Sequence, residues 1–320
     1  TLFRSEDYYS YHTQNIGDKG IGYVNDYNGA LVYTQDLGFS GAFPFEINSI
    51  YNSFYDGTEY SSYYNVATNN FGKGWKISTY ERLTNEPGLG YVYHDNDGTE
   101  HCFDYISDQG FYLDKDRTGL KLEVGSTYYT LTNGYTKAVK TFSVSNGRLS
   151  TITSDSDTYS FTYTNAGGIN QICTNGVTIY QFTYTNGYLT SITDDDSKTA
   201  SFAYSNGLLS TITAVNGEIY TFTYNSTTNS YETSNGFGRI EKIQEAIGTT
   251  LGQAIAITYE DHKTTFRSSG ADDVLATITS STDLTTIDDL LTVYLFDDYM
   301  DIINVYTTNA AGNVLYESTA

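Results

Sequence analysis

Two histidines are the residues best placed to do chemistry in this chain. His94 and His101 flank a polar hexapeptide, residues 95–100, which contains the hairpin-turn dipeptide Asp97-Gly98. With that turn, His94 pairs directly with His101 on one face, so the two imidazoles are weak candidates for ligands of a transition metal. A stable zinc site needs three or four ligands, and the sequence offers no third. We therefore expect an ordinary cross-strand pair, with no metal and no cofactor.

Acidic side chains gather at four places, and such clusters can bind calcium or cleave glycosidic bonds. They are residues 95–97, 155–157, 194–196 and 297–301. None completes the twelve-residue EF-hand loop with its terminal Glu, and tight turns use Asp and Asn for local hydrogen bonding. With 38 acidic residues in the chain, two carboxylates at the spacing of a glycosidase pair arise by chance. Because no nucleophile motif or phosphate-binding loop accompanies them, we predict turn residues and a protein that is not an enzyme.

Clustered tyrosines are a second candidate for binding. Tyr60, Tyr63 and Tyr64 lie outside the repeats, and exposed aromatic rings stack on sugar rings. The alternative is that they form the core of an N-terminal module, since large aromatic side chains are usually buried. A contiguous exposed patch favours a glycan site, whereas inward-facing rings favour a structural role.

A short unit recurs with a period of about 20 residues. The copies are TFSVSNGRLSTIT (141–153), SFTYTNAGGINQI (160–172), QFTYTNGYLTSIT (181–193) and SFAYSNGLLSTIT (201–213), and TFTY at 221 begins a fifth. A period this short indicates one supersecondary unit stacked on copies of itself. We expect the repeated phenylalanines to share one face of a continuous sheet: Phe142, Phe161, Phe182, Phe202 and Phe222.

Each copy has the pattern of a β-hairpin. Alternating side chains precede an Asn-Gly pair in three copies and Gly167-Gly168 in the second, and Asn-Gly is the strongest short signal of a type I′ turn. In the third copy this turn places Tyr184 opposite Leu189 and Phe182 opposite Ser191, which leaves Ile192 on the other face. Either a bulge re-aims Ile192, or it packs against the outer surface of the next repeat.

Composition and charge limit the fold and the partners. The 29 glycines, 33 tyrosines and two prolines are typical of an all-β protein, although short helices near 240–246 and 284–291 are an alternative. A net charge of −22 argues against nucleic acid and against anionic membrane surfaces. There is no apolar run of membrane-spanning length, so we expect no membrane insertion. Cys102 and Cys173 are expected to be two separate thiols or, as the alternative, a disulfide.

An ordered set of motifs before the repeats resembles the Rhs/YD-repeat family. They are Asn28-Gly29-Ala30-Leu31, Tyr51-Asn52-Ser53, Phe71-Gly72-Lys73-Gly74-Trp75, and a segment from Tyr93 through Asp97-Gly98-Thr99 to Phe103. The FxYxNGxLxxIT copies look like the degenerate YD repeat of secreted Gram-positive members. The likeness spans roughly residues 25 to 225. These copies carry Asn-Gly in place of the Tyr-Asp of typical repeats.

The resemblance implies a curved, spiralling antiparallel sheet, as in toxin-complex shells and teneurin. It predicts a β-rich N-terminal module over 1–135, hairpin repeats over 136–225 and an irregular β-rich region over 226–320. The implied role is a non-enzymatic segment of a large secreted or wall-associated bacterial protein, which encloses or presents a C-terminal domain of the same polypeptide. The alternative is an adhesion module that binds a glycan or a cell-surface protein. Trp75 is expected to be buried where the N-terminal module meets the repeats.

Overall fold

The fold contains strands and no helix in the part of the chain that the structure describes. The computed structural model describes residues 11–16, 20–25, 31–40, 43, 46–53, 71–96, 99–116, 118–155, 157–225, 238–260, 263–268, 274–279, 285–287, 290–296, 302–309 and 314–319. Within these ranges, no helical segment has the length and apolarity needed to cross a membrane. The predicted all-β class with a long antiparallel sheet of hairpins is confirmed.

The strands form three antiparallel sheets. The N-terminal sheet contains β1 Tyr11–Ile16, β2 Gly20–Asn25, β3 Leu31–Asp36, β4 Asn48–Asn52 and β5 Trp75–Ile77. The second sheet, called the strip, contains β6 Arg82–Glu86, β7 Gly90–His94, β8 Glu100–Ile106, β9 Phe111–Asp114, β10 Leu120–Val124, β11 Tyr128–Asn133, β12 Val139–Ser143, β13 Leu149–Ser154, β14 Asp157–Tyr163, β15 Ile169–Thr174, β16 Val177–Thr185, β17 Tyr188–Asp194, β18 Thr199–Ser205, β19 Leu208–Thr213, β20 Glu218–Tyr224, β21 Ile240–Ile247, β22 Thr250–Glu260, β23 Lys263–Ser268 and β24 Val274–Thr279. The third contains β25 Thr285–Ile287, β26 Leu290–Phe296, β27 Ile302–Asn309 and β28 Val314–Thr319.

Each strand of the strip pairs with the next one in sequence. The strip therefore runs without interruption past residues 135 and 225, from Arg82 to Thr279. Two of the turns have the backbone that the Asn-Gly pairs predict: φ is 53° and 84° at Asn186 and Gly187, and 52° and 80° at Asn206 and Gly207, the positive values that a type I′ turn requires. At Asn146-Gly147 only the glycine has a positive φ.

A bulge in each hairpin corrects the predicted register. Tyr184 pairs with Leu189 as expected, but Phe182 pairs with Ile192 and not with Ser191. The register shifts between Thr183 and Tyr184, so one extra residue on β17 turns Ile192 onto the face of Phe182. Ile192 is fully buried there, which resolves the two sequence-based alternatives in favour of the bulge.

The same register shift recurs at the equivalent places in neighbouring hairpins. It also explains why residues 240–246, for which the sequence allows a short helix, form a strand. Register shifts precede Tyr163, Tyr204 and Tyr224 as they precede Tyr184. The Leu-x-x-Ile spacing that follows each turn is therefore the spacing across a bulge. Residues 240–246 have the equivalent spacing, from Ile240 to Ile243, and belong to a strand, and the described residues of 284–291 belong to two strands. A three-residue apolar spacing suits either a helix or a bulged strand.

A ladder of tyrosine hydroxyls joins successive hairpins. Tyr204 Oη donates to the carbonyl oxygen of Leu189 at 2.7 Å, while the recorded pairing of β17 with β18 begins only at Ser191. The hydroxyl thus donates a hydrogen bond to a backbone carbonyl that the pairing of these two strands does not include. Among the described residues, five tyrosines, called the ladder tyrosines, make this bond to an earlier Leu or Ile carbonyl: Tyr163 to Leu149, Tyr184 to Ile169, Tyr204 to Leu189, Tyr224 to Leu209 and Tyr259 to Ile240.

The N-terminal sheet packs on the apolar face of the strip through aromatic rings. Trp75 is fully buried, its ring centroid lies 4.8 Å from that of Phe222, and its indole Nε1 donates to Tyr224 Oη at 2.8 Å. Phe71 meets Phe202 edge to face at 4.7 Å. All five repeated phenylalanines are buried in this same core: Phe142, Phe161, Phe182, Phe202 and Phe222.

The first strand of the strip is covered by a turn further along the chain. Leu83 N donates to the Gly147 carbonyl at 2.9 Å, and Arg82 forms an isolated bridge with Arg148. Gly147 has φ +69°, and a Cβ added to it would lie 2.6 Å from the Leu83 carbonyl oxygen. Glycine is therefore required for this contact, which keeps the β6 edge from being open.

We expect Tyr204→Phe to destabilise the protein by about 1–3 kcal/mol, because the carbonyl of buried Leu189 loses its donor. Urea denaturation at pH 7 measures the change. Tyr135→Phe is the matched control, since Tyr135 is 77% exposed in a turn. Equal stabilities for the two variants would contradict a structural role for the ladder.

Candidate functional site

The hairpin that carries the two histidines is one residue out of the predicted register. His94 pairs with Glu100, and His101 pairs with Tyr93. The loop is wider than a two-residue turn because Asp95 N donates to the Thr99 carbonyl and Asp95 Oδ1 accepts from Thr99 N at 2.9 Å. Successive side chains of a strand alternate in direction, so His94 and His101 point to opposite faces. The predicted cross-strand histidine pair is therefore wrong.

His101 lies between two carboxylates on the apolar face of the hairpin. Its Nε2 is 3.3 Å from Asp95 Oδ2 and its Nδ1 is 3.6 Å from Asp114 Oδ2, and the ring stacks on Tyr93. Burial alone lowers the pKa of His101, but the Asp114 and Asp95 carboxylates outweigh it and raise the pKa to about 10. Burial conversely raises the pKa of Asp114, and His101 together with Thr118 brings it below its usual value.

His94 has the same arrangement on the opposite face. Its Nε2 lies 3.3 Å from Glu86 Oε1 and its Nδ1 lies 3.2 Å from Glu100 Oε1. Burial opposes the charge of His94, but the two glutamates outweigh that cost and raise its pKa. The bond to His94 is the main reason why the pKa of Glu86 is lowered. Both imidazoles thus lie between two carboxylates, which favour the protonated form of each ring.

A half-buried lysine completes the polar cluster beside His101. Lys140 Nζ lies 2.9 Å and 2.7 Å from the two carboxylate oxygens of Glu81, and 2.9 Å from Tyr93 Oη. Tyr93 Oη donates to Glu81 at 2.5 Å. Lys140 is 59 residues from Glu81 in sequence, so this ion pair joins the start of the strip to strand β12.

The charged side chains of this cluster lie against partners of opposite charge. An imidazole that stays protonated to a pH of about 10, as His101 does, is a poor general base near neutrality. Each ring nitrogen of the two histidines lies 3.2–3.6 Å from a carboxylate oxygen. Within the described ranges, no group of three or more His, Cys, Asp or Glu side chains is arranged to hold a metal ion.

The remaining sequence candidates are placed as follows. Asp194 acts as a turn residue, since its carboxylate accepts from Lys198 N at 2.8 Å. Cys102 and Cys173 are both free, the first buried and the second half-buried. Tyr60, Tyr63 and Tyr64 lie outside the described residues, as do Asp97, Gly98 and residues 297–301.

Sequence reasoning missed most of the cluster. Glu81, Glu86, Asp114 and Lys140 were not candidates, because isolated charged residues are usually solvated. The available signal was positional: Lys140 falls on the apolar face of a strand, directly opposite Leu131 and Ile152. A charge at such a position requires a buried partner.

Comparisons with known proteins give one family match and distant structural likenesses. Residues 23–103 match the domain of unknown function DUF6531, a match that covers about a quarter of the chain. The matched segment includes the N-terminal sheet from Tyr23 onward and the histidine hairpin, and it contains the motifs of the Rhs/YD-repeat resemblance. None of the curated proteins is significantly similar to this chain in sequence.

Two solved structures are similar over much of the chain. One is the crystal structure of TcdB2-TccC3-TEV, at 10% identity and a TM-score of 0.31, over 97% of this chain and 21% of that chain. The chain thus spans about a fifth of that protein. The other is a porin-like protein from Bacteroides uniformis, at 14% identity and a TM-score of 0.28, over 62% of this chain and 92% of that chain.

We expect His101→Gln to destabilise the protein by about 3–5 kcal/mol near neutral pH, because Asp95 and Asp114 then lack their buried cation. The raised pKa of His101 contributes stability that is complete below pH 6.5 and is lost as the pH rises to about 10. The difference between wild type and variant should therefore shrink over that window. Urea denaturation at pH 6, 8 and 10 measures it.

Lys198→Ala is the control for this prediction, since it removes an exposed ion pair with Asp196. Such a pair contributes about 1 kcal/mol or less, so its loss should matter little at any of the three pH values. A difference between wild type and His101→Gln that does not vary with pH would contradict the assigned charge state.

Proposed function

We propose that this chain is a non-enzymatic structural segment of a β-shell, in which the strip forms the wall and the N-terminal sheet fills its first part. The observation that carries the proposal is the aromatic packing of the N-terminal sheet against the apolar face of the strip. In this proposal the chain belongs to a large secreted or wall-associated protein of the Rhs/YD-repeat type. The wall encloses or presents another domain of the same polypeptide.

The two faces of the strip suit a wall. One face carries the buried phenylalanines, and the other carries threonines and serines that bond to each other across strands. Thr141 Oγ1 lies 2.7 Å from Thr151 Oγ1, and Thr193 Oγ1 lies 2.9 Å from Thr199 Oγ1. A sheet with one apolar and one hydroxyl-rich face separates an interior from water.

The N-terminal sheet holds hairpins that are distant in sequence. Phe43 contacts the rings of Tyr159, Phe161 and Tyr180, while Trp75 contacts Phe222 some 60 residues later in the strip. Leu37 accepts at its carbonyl from Val215 N at 3.0 Å. Contacts spread over so many hairpins fix the curvature of the strip, which a single row of hairpins does not determine.

A lack of catalysis is supported by the same geometry. The buried carboxylates and imidazoles are bound to one another, and the ladder hydroxyls are bound to carbonyls. The net charge of −22 also disfavours partners that carry phosphates. A shell that is acidic and rich in hydroxyls stays soluble in water.

We expect Trp75→Ala to cost about 3–5 kcal/mol and to open the wall, because it removes the ring at the centre of the packing between the two sheets. In the full-length natural polypeptide, any domain that the wall encloses should become sensitive to a protease at a concentration that leaves wild type intact. Tyr135→Ala is the control with an exposed ring. Equal protease sensitivity of all regions in wild type and Trp75→Ala would contradict enclosure.

We also expect the protein to release no product from polysaccharides, esters or peptides and to cause no shift of duplex DNA in an electrophoretic mobility assay. Glu81→Gln is the informative variant, because Glu81 is among the most buried carboxylates of the cluster. Sugar release that is reproducible in wild type and lost in Glu81→Gln would overturn the non-enzymatic proposal.

A further inference from the structure

The Asn-Gly pairs that form turns of the strip place two groups that can react with each other side by side. The glycine amide nitrogen directly follows the asparagine side chain, and without a Cβ the glycine leaves that nitrogen open to approach. Asparagine is among the thermolabile residues of proteins. Within the described residues, such pairs stand at Asn133-Gly134, Asn146-Gly147, Asn175-Gly176, Asn186-Gly187, Asn206-Gly207 and Asn216-Gly217.

Three of these pairs, called the bound pairs, have both reacting groups engaged in hydrogen bonds. The glycine nitrogens donate to backbone carbonyls: Gly134 to Gly119 at 2.8 Å, Gly147 to Ser143 at 2.7 Å and Gly217 to Ala214 at 2.9 Å. The asparagine Oδ1 atoms accept from backbone N–H groups that follow them: Asn133 from Tyr135 and Thr136, Asn146 from Arg148, and Asn216 from Glu218. Reaction at a bound pair therefore requires these hydrogen bonds to break first.

Two other pairs, called the open pairs, are Asn175-Gly176 and Asn206-Gly207. The φ angles are 49° and 78° in the first and 52° and 80° in the second, so both are type I′ turns. The hydrogen bond of such a turn joins the residues on its two sides and leaves the central N–H groups free. In the part of the chain that the structure describes, neither the glycine N–H nor the asparagine side chain of an open pair makes a hydrogen bond. Both asparagines are exposed.

Hydrogen bonding, and not crowding, separates the open pairs from the bound ones. A Cβ added to Gly176 or to Gly217 would have no atom within 4 Å, so both glycines face open space. Gly217 N is nevertheless bound to a carbonyl, whereas Gly176 N is not. Asn216 is therefore the matched comparison for Asn175 within the same chain. Asn186 belongs to neither group, because Gly187 makes a further polar contact.

We propose that Asn175 and Asn206 are sites of spontaneous deamidation. The glycine nitrogen forms a bond to Cγ of the preceding asparagine, the Cγ–Nδ2 bond breaks, and the proton of the glycine amide leaves with Nδ2 as ammonia. Water then adds to the resulting succinimide and breaks one of the two ring bonds to the glycine nitrogen, which gives aspartate or isoaspartate. One water is consumed and one ammonia is released, and nothing is oxidised or reduced.

The product alters the turn that holds two strands in register. Isoaspartate places Cβ in the main chain, so the turn no longer fits the pairing of Thr174 with Val177, or of Ser205 with Leu208 at the second site. Each event also adds one negative charge to a chain that already carries −22. The proposal does not rest on the shell role, because the reaction needs only the turn and water.

The test is incubation of the folded protein at pH 8 and 37 °C in heavy-oxygen water, followed by peptide mapping with mass spectrometry. The new carboxylate incorporates the heavy oxygen, so the label reports the reaction at each asparagine. We expect Asn175 and Asn206 to be labelled at least about tenfold faster than the asparagines of the bound pairs, which corresponds to about 1.4 kcal/mol of activation free energy.

The control is the same chain unfolded in urea. Unfolding removes the hydrogen bonds of the bound pairs, so all five asparagines should then be labelled at similar rates. This control separates the effect of the fold from that of the neighbouring residues. The proposal is overturned if Asn175 and Asn206 stay unlabelled in the folded protein, if Asn216 is labelled as fast as Asn175, or if the difference in rate persists in urea.

Discussion

The fold depends on one repeated interaction, the hydrogen bond from a tyrosine hydroxyl to a backbone carbonyl of the preceding hairpin. A bulge after each turn brings Phe182 and Ile192 onto one buried face, but it also ends the regular pairing of that hairpin with the next. The carbonyl of Leu189 then lies outside the backbone pairing of β17 with β18, and the Tyr204 hydroxyl donates a hydrogen bond to it. The bulge and the tyrosine are therefore a coupled pair: the first builds the core, and the second satisfies the backbone that the first exposes.

The N-terminal module contacts the strip at residues of this same coupled pair. Tyr224 both closes the ladder bond to Leu209 and accepts from the Trp75 indole, so the repeat and the N-terminal sheet meet at one hydroxyl. Gly72 has φ +90°, and a Cβ added there would lie 3.1 Å from Leu209 N, so glycine allows the backbone of the N-terminal module to approach the same point. The ion pair of Lys140 with Glu81 joins the first hairpin of the strip to β12, and the carboxylates of Asp95 and Asp114 flank His101 within the first hairpins.

Local patterns in the sequence predict much of this architecture, whereas the features that depend on contacts between distant residues are not predicted. The 20-residue period and the Asn-Gly pairs predict the hairpins and their turns, because those depend on adjacent residues. The bulge is one of two alternatives that the sequence leaves open, since the spacing of Leu189 and Ile192 is also compatible with an outward Ile192. The predicted pairing register of the histidine hairpin is wrong by one residue, because the Asp95 carboxylate accepts a hydrogen bond from Thr99 N and the loop is wider than a two-residue turn. The ion pair of Glu81 with Lys140 joins residues 59 apart, and no local pattern indicates it.

An alkaline titration tests the central claim most directly. Burial raises the pKa of the ladder tyrosines Tyr163, Tyr184, Tyr204, Tyr224 and Tyr259. Because the unfolded chain ionises its tyrosines near pH 10, the stability that they contribute is complete below about pH 10 and falls as the pH rises further. Tyrosinate absorbance and circular dichroism should be recorded together. The account predicts that the ladder tyrosines ionise only when the sheet signal is lost cooperatively; their ionisation near pH 10 with the sheet intact would contradict it.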